Sequence, residues 1–199
     1  MSQSKQALLY LASASPRRAE LLAQMGFDFE VLSVDVDESV QESESVEEYV
    51  VRLACDKAMA GHTQAEDKAR LVLGADTAVF VNGKILGKPR DFADAQYMMR
   101  LLSGNRHQVL TAVALAGQNI TSHVLQTSQV YMREITDNEI KAYWQTGEPY
   151  DKAGGYAIQG KAAAFIAKIE GSYSGIMGLP LYETAALLAT ANHKLFGLD

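Results

Sequence analysis

Apolar and polar positions form short blocks along the chain, and these blocks predict strands and helices in an irregular order. An apolar run over 7–12 predicts a buried strand. A helix is predicted directly after it, because Ser15 suits an N-cap, Pro16 suits the first turn and Gly26 suits the position just past the end. Strands are also predicted over 27–33, 71–73, 107–115, 122–132 and 163–169.

Polar capping residues mark three further helices. A Ser or Thr followed three residues later by Glu is a capping box, which satisfies free N–H groups at a helix start. Capping boxes begin at Ser45 and Thr136, and Asp91 suits an N-cap. The predicted helices run over 45–61, 91–102 and 136–147. A C-terminal helix is predicted over 179–195.

A hairpin signal within the alternating strands and helices predicts the fold class. Asn82-Gly83 lies between short apolar runs at 78–81 and 84–86, and this dipeptide favours a tight two-residue turn. Hairpins combined with strand–helix alternation predict an α/β fold, with a mixed, twisted β-sheet flanked by helices.

Composition narrows the classes of function. The 199 residues are 48% hydrophobic and carry a formal net charge of −6, which argues against a broad basic face for a nucleic-acid polymer. Cys55 is the only cysteine, so an intrachain disulfide and a cysteine-rich zinc site are excluded. No apolar run approaches the roughly 20 residues that span a bilayer. We expect a single cytoplasmic domain over 1–199, with a flexible segment at 1–6 and no membrane partner.

The first cluster of candidate functional residues lies where the first strand meets its helix. Ser13, Ser15, Arg17 and Arg18 surround a predicted helix N-terminus, where backbone N–H groups and the helix dipole attract anions. Two hydroxyls and two guanidiniums suit a phosphate chain. A plain helix cap with two solvated arginines explains the same residues.

Two other clusters and one lysine also have both a functional and a purely structural interpretation. Asp76, in Gly-Ala-Asp-Thr, is predicted at the carboxyl end of a buried strand, where it either serves a cation or a water or opens a turn. Gln159 follows a glycine-rich stretch that is either a ligand loop or an ordinary one. Lys57 continues the apolar stripe of the helix over 45–61, and it either extends to solvent or meets an anion.

In combination these motifs resemble the Maf proteins, which are house-cleaning nucleotide pyrophosphatases. The resemblance covers about 8–188 and rests on LASASPRRAELL, VDVDES, RLACDKA, LGADT, GKPRD, LSGNRHQVLTAV, DKAGGYAIQG and GSYSGIMGLPLYET. It implies a Maf/ITPase-like fold with the substrate cleft between two lobes. The Ser-Pro-Arg-Arg form resembles the branch that hydrolyses dTTP and UTP to the monophosphate and pyrophosphate.

The resemblance also implies a role for each matching residue. Asp76 matches the catalytic proton acceptor, and with Glu38 it would hold a divalent cation, Mg²⁺ or Mn²⁺. Positions that set substrate choice match Arg17, Thr77 and Gln159. Positions around the phosphates match Ser13, Arg18, Lys57, Lys88 and Lys152. Related proteins are often homodimers, so a homodimer is implied as well.

Three alternative functions stay open at this point. The first is a nucleotide-binding regulator of division or stress that does not depend on catalysis. The second is the sister activity on 7-methyl-GTP, whose branch usually has an aromatic residue where Arg17 stands. The third is a pyrophosphatase for non-standard purine nucleotides, by analogy of architecture only.

Overall fold

The computed structural model describes residues 9–118 and 120–193. Its seven strands are β1 (Leu9–Ala12), β2 (Phe29–Val31), β3 (Val72–Val81), β4 (Lys84–Leu86), β5 (Arg106–Gly117), β6 (Ile120–Met132) and β7 (Ile166–Glu170). The helices are α1 (Pro16–Gln24), α2 (Val46–Gln64), α3 (Phe92–Leu102), α4 (Asp137–Trp144), α5 (Tyr173–Met177) and α6 (Leu181–Thr190). Two 3₁₀ turns lie at Ala153–Gly155 and Lys161–Phe165.

The strands form one mixed sheet in the order β2-β1-β3-β5-β6-β7, with β4 paired to β3. Strand β1 runs parallel to both β2 and β3, whereas β3–β4 and β6–β7 are antiparallel pairs. The predicted α/β class with a mixed sheet is therefore confirmed. In the part of the chain that the structure describes, no helix is both long and apolar enough to span a bilayer.

The chain divides into two compact units, each built from separate stretches of sequence. Within the described residues, the first unit comprises 9–76, 111–126 and 178–193, and the second comprises 77–110 and 127–177. The prediction of a single domain over 1–199 stays a prediction. Its flexible segment 1–6 lies outside the described residues.

Each unit has buried apolar side chains of its own. In the first unit Tyr10, Ala12, Ala65 and Val72 form one cluster beside α2 and β1. In the second unit a larger cluster joins β3 and β4 to α3 and α4 through residues such as Val79, Leu86, Met99 and Ile140. Burial of this apolar surface is the main contribution to the stability of each unit.

The predicted helix caps and the predicted hairpin turn are confirmed. Both predicted capping boxes are present, and the Asp91 side chain accepts a hydrogen bond from the N–H of Asp94. Asn82 and Gly83 have φ values of 50° and 75°, as the predicted tight hairpin turn requires.

Two strand predictions differ from the structure in kind as well as in length. The strand predicted over 71–73 and the first arm of the hairpin are one ten-residue strand, β3, so Gly74 does not end a strand. The stretch 161–165 is a 3₁₀ turn, and β7 starts only at Ile166.

Other elements differ mainly in length. Helix α2 continues three residues past Gly61 to Gln64, and β2 spans only Phe29–Val31. The C-terminal helix starts at Leu181, after Pro180, and ends at Thr190. The rest of its predicted range includes residues 194–195, which lie outside the described residues.

Candidate active site

Close contact between α2 and β3 brings the central residues of the candidate site together in the first unit. Gly74 lies against α2, where a Cβ at that position would be 2.5 Å from both the Ala54 carbonyl oxygen and the Ala58 nitrogen. Only glycine allows this approach of two backbones. Asp76 follows two residues later on β3, beside the turn of α2 that carries Lys57.

Lys57 joins two carboxylates, and we call Glu38, Lys57 and Asp76 the carboxylate–ammonium cluster. Its Nζ lies 2.7 Å from Asp76 Oδ1 and 2.6 Å from Glu38 Oε1. The side chains of Lys57 and Asp76 are each 11% exposed, whereas that of Glu38 is 53% exposed. Lys57 therefore does not extend to solvent, which was one of its two interpretations; contact with a ligand anion stays a prediction. Asp76 lies inside β3, which continues to Val81, so the prediction that it lies at the carboxyl end of a strand was wrong.

The protonation of Asp76 is set by burial and by its charged neighbours. Burial raises the pKa of Asp76 above its ordinary value, and the positive charges of Lys57 and Arg18 partly oppose this rise. A carboxylate with a raised pKa is a better proton acceptor, provided that it is still ionised at the working pH. This arrangement suits a general base.

Arg18 adds a second cation to the same unit. Its Nε donates to the Gly178 carbonyl oxygen at 2.9 Å, and its Nη1 donates to Ser13 Oγ at 3.1 Å. Burial lowers the pKa of Arg18, and the charge of Asp76 opposes the change. The Ser13 hydroxyl also accepts from the N–H of Ser15 at 3.3 Å, so Ser13 organises the turn that begins α1.

The start of α1 otherwise agrees with the prediction. Ser15 occupies the N-cap and Pro16 the first turn, although the Ser15 side chain makes no capping hydrogen bond. Arg17 is half-buried in that first turn. Two of the predicted phosphate-binding residues at this helix start, Ser13 and Arg18, are in direct contact through the hydrogen bond described above.

The segment that carries Glu38 is held to α2 by a residue that sequence reasoning missed. Arg52 donates from Nε and Nη2 to the two oxygens of Glu44 at 2.5 and 2.8 Å. It also donates to the carbonyl oxygens of Asp37 and Ser39, at 3.4 and 3.0 Å, on either side of Glu38. We call Arg52 and these three partners the Arg52 clamp. Its position in the RLACDKA motif was the available signal.

Tyr49 fixes the same segment from one helical turn earlier. Its hydroxyl donates to the Glu38 carbonyl oxygen at 3.0 Å. Burial raises the pKa of Tyr49 to about 12, and the charges of Asp76 and Glu38 add to this effect. Tyr49 is therefore a neutral hydrogen-bond donor at physiological pH.

The remaining predicted site residues belong to the second unit. Lys88 and Gln159 are exposed, and Thr77 is half-buried. Lys152 forms an ion pair with its neighbour Asp151. The structure therefore places Ser13 with Arg18, and Glu38 with Lys57 and Asp76, in direct contact within the first unit.

Comparison with known proteins identifies the family. Residues 8–191 match the model of the Maf-like protein family. A dTTP/UTP pyrophosphatase of Vibrio cholerae is 51% identical, covering 90% of this chain and 96% of that protein. One of Shigella dysenteriae is 52% identical, covering 92% and 93%. The solved structure of the Staphylococcus aureus Ham1 protein covers 94% of this chain and 98% of its own, at 14% identity and a TM-score of 0.48. From the match over 8–191, this chain belongs to the Maf-like protein family.

Proposed function

We propose that this protein is a nucleoside triphosphate pyrophosphatase that hydrolyses dTTP and UTP to the monophosphate and pyrophosphate. The observation that carries the proposal is the carboxylate–ammonium cluster, in which a buried carboxylate of raised pKa lies against a lysine. Relatives that are about half identical over nearly the whole chain bear the name dTTP/UTP pyrophosphatase, which supports the activity and the substrates.

Asp76 accepts the proton of the attacking water in the proposed reaction. The water oxygen attacks the α-phosphorus, the bond from that phosphorus to the bridging oxygen breaks, and pyrophosphate leaves. The water proton passes to Asp76, which is ionised before the step. The positive charge of Lys57, whose Nζ lies 2.7 Å from Asp76 Oδ1, favours this ionised form.

Cationic side chains offset the charge of the triphosphate. Arg18, with Ser13 at the start of α1, suits phosphate oxygens because guanidinium and hydroxyl groups both donate to them. Lys57, Lys88 and Lys152 are proposed to contact phosphates as well. Choice among bases is proposed for Arg17, Thr77 and Gln159. The side-chain amide of Gln159 both donates and accepts hydrogen bonds, as a base edge requires.

The donor groups present also fit a divalent cation. Among residues 9–118 and 120–193, no three His, Cys, Asp or Glu side chains converge as a complete metal site. Glu38 and Asp76 nevertheless converge on a single cation, the Lys57 ammonium. Mg²⁺ is commonly bound by one or two carboxylates with substrate phosphates and waters completing its shell. Glu38 and Asp76 would hold Mg²⁺ or Mn²⁺, which would neutralise charge on the phosphates when bound.

Pyrophosphate release from a panel of nucleoside triphosphates, with Mg²⁺ or Mn²⁺, tests the proposal. We expect release from dTTP and UTP that falls by at least about 100-fold in Asp76→Asn, because the proton acceptor is lost. Asp28→Asn changes an exposed carboxylate of the same unit and should retain wild-type activity.

Other outcomes point to the other functions. Release centred on 7-methyl-GTP would keep the reaction and overturn the assignment of Arg17. Binding of dTTP without any turnover would favour a nucleotide-binding regulator. The cytoplasmic location and the homodimer stay predictions, and light scattering of the purified protein tests the latter.

A further inference from the structure

A carboxylate outside the predicted site holds the backbone on which Gln159 is carried. Glu148 Oε2 accepts a hydrogen bond from the N–H of Lys161 at 2.9 Å, and Oε1 accepts one from the N–H of Ala162 at 3.3 Å. Both amides lie just past Gln159, at the start of the 3₁₀ turn that replaces the first residues of the predicted strand. The Gln159 side chain itself is exposed.

Tyr143 holds the other side of the same segment. Its hydroxyl accepts a hydrogen bond from the N–H of Ala157 at 3.2 Å and donates one to Glu148 Oε1 at 2.8 Å. The Tyr143 ring is buried and meets Phe165 edge to face at 5.5 Å, so the hydroxyl is presented from a fixed ring. Backbone amides on both sides of Gln159 are thus bound to one connected pair of side chains.

Gly160 shows how closely the carboxylate approaches this backbone. A Cβ at residue 160 would lie 2.4 Å from Glu148 Cδ and from both of its carboxylate oxygens. No larger residue fits without displacing the carboxylate. A larger residue next to Gln159 would therefore move the Glu148 carboxylate away from the amides that it binds.

The hydrogen bonds require Glu148 in its ionised form. Burial alone would raise the pKa of Glu148, but the bonds from Lys161 N–H, Tyr143 and Ala162 N–H outweigh it and hold the pKa below its ordinary value. A carboxylate accepts hydrogen bonds at both oxygens, whereas an amide presents a donor at one of them. Gln at position 148 would set an NH₂ group against a backbone N–H.

We propose that Glu148, acting with Tyr143, is a positioning residue that fixes the 157–162 backbone and so determines how Gln159 discriminates between bases. This inference rests on the proposed function, since it deepens the role given there to Gln159. Each hydrogen bond from Glu148 or Tyr143 to this segment ends on backbone, so the pair leaves the Gln159 side chain available to a ligand.

The first test compares nucleotide preference in Glu148→Gln, Gln159→Ala and wild type. The measured quantity is the ratio of kcat/KM for UTP to kcat/KM for 7-methyl-GTP. We expect Glu148→Gln to lower this ratio by about tenfold, in the same direction as Gln159→Ala and mainly through KM for UTP, because one charge-assisted hydrogen bond is lost. Gly160→Ala should act in the same direction.

Glu139→Gln is the matched control. Glu139 also accepts a backbone N–H, that of Thr136 at 2.8 Å, but it lies at the start of α4 and makes none of the contacts to 157–162. It should lower the unfolding temperature without changing the ratio. If Glu148→Gln does not fold, Tyr143→Phe keeps the buried ring, removes the partner of Ala157 and should lower the ratio by a smaller factor.

A readout without substrate separates this inference from the proposed function. Hydrogen exchange of peptides covering 157–162 should quicken in folded Glu148→Gln and stay at the wild-type rate in Glu139→Gln. Unchanged exchange, or an unchanged ratio where Gln159→Ala shifts it, would overturn the inference and leave the function standing. A folded wild type that releases pyrophosphate from no nucleotide would overturn the proposed function and the role of Gln159 with it.

Discussion

The candidate residues of the two units are held in place in different ways. In the first unit Lys57 contacts both Glu38 and Asp76, so each side chain is part of its neighbour's electrostatic environment. In the second unit Gln159 is exposed, and it is the backbone around it that is bound, by Glu148 and Tyr143. Substitutions in the first unit should therefore change chemistry and stability together. In the second unit, the residues that fix the backbone are different from the exposed side chain that this backbone carries.

The largest expected effect comes from removing the cation of the first unit. In Lys57→Met, Asp76 and Glu38 lose the ammonium that both contact, and an unpaired buried carboxylate is costly. We expect kcat/KM for UTP to fall on the order of 1000-fold, as when one preorganised charged group is removed from an active site. The free energy of unfolding at pH 7 should fall by roughly 2 kcal/mol, less than for a fully buried pair because Glu38 is half exposed.

Two variants of the second unit, Lys152→Met and Lys141→Met, allow the loss of a lysine to be compared between the two units. The Lys152 side chain is 15% exposed, but its partner Asp151 is 63% exposed, so solvent screens this pair more than the pair of Lys57 with Asp76. Lys152→Met should therefore lower the unfolding temperature less than Lys57→Met does. Lys141 is exposed on α4 and controls for the loss of one positive charge. Equal destabilisation by Lys57→Met and Lys152→Met would contradict the distinction drawn between the two units.

The features that sequence predicted well depend on neighbouring residues. Asn82-Gly83, Asp91 and the two capping boxes act within four residues, so their geometry follows from local chemistry. The prediction that a strand ends at Gly74 was wrong because this glycine instead lets α2 approach β3. That contact joins segments that are separate in sequence. The turn at 161–165 was missed for the same reason, since Glu148 binds it from outside.

In the candidate site as well, residues within sequence motifs were predicted, whereas contacts between distant segments were not. Family motifs supplied Glu38, Lys57 and Asp76, and the structure brings these three together. The contact between Arg18 and the Gly178 carbonyl spans 160 positions, and no local pattern encodes it. Arg52 and Glu148 were missed because the contacts by which they hold the site segments end on backbone groups, the Asp37 and Ser39 carbonyls and the Lys161 and Ala162 amides, which leave no signature in residue identity.

An intermediate effect is expected from a buried histidine of the second unit. His107 is 2% exposed and its Nε2 lies 2.7 Å from the Tyr156 hydroxyl, in the stretch that leads to Gln159. Burial lowers the pKa of His107 to about 4, from 6.5 when it is free. Its unfolded form therefore binds a proton first as the pH falls below 6.5, so stability decreases down to about pH 4.

Urea unfolding at pH 7.5 and pH 5 measures the contribution of this histidine. Wild type should lose about 2 kcal/mol more than His107→Gln between these two pH values, because glutamine does not titrate. His123→Gln alters an exposed histidine and should behave as wild type. An identical pH dependence of the unfolding free energy in His107→Gln and wild type would contradict the prediction that burial of neutral His107 beside Tyr156 makes stability depend on pH.

The smallest expected effect sharpens the comparison most, because it uses the same chemical group in both units. Arg52 forms a two-pronged ion pair with Glu44 and also holds the carbonyls on either side of Glu38. Arg52→Lys keeps the charge but loses the planar fork, so the Glu38 segment is held less rigidly. We expect kcat/KM for UTP to fall by up to about tenfold, which corresponds to about 1.4 kcal/mol. Arg100→Lys is the matched variant, since Arg100 binds both oxygens of Asp137 at 2.8 and 2.6 Å in the second unit. It should leave kcat/KM unchanged, and an equal loss in both variants would mean that the Arg52 clamp supports only the fold.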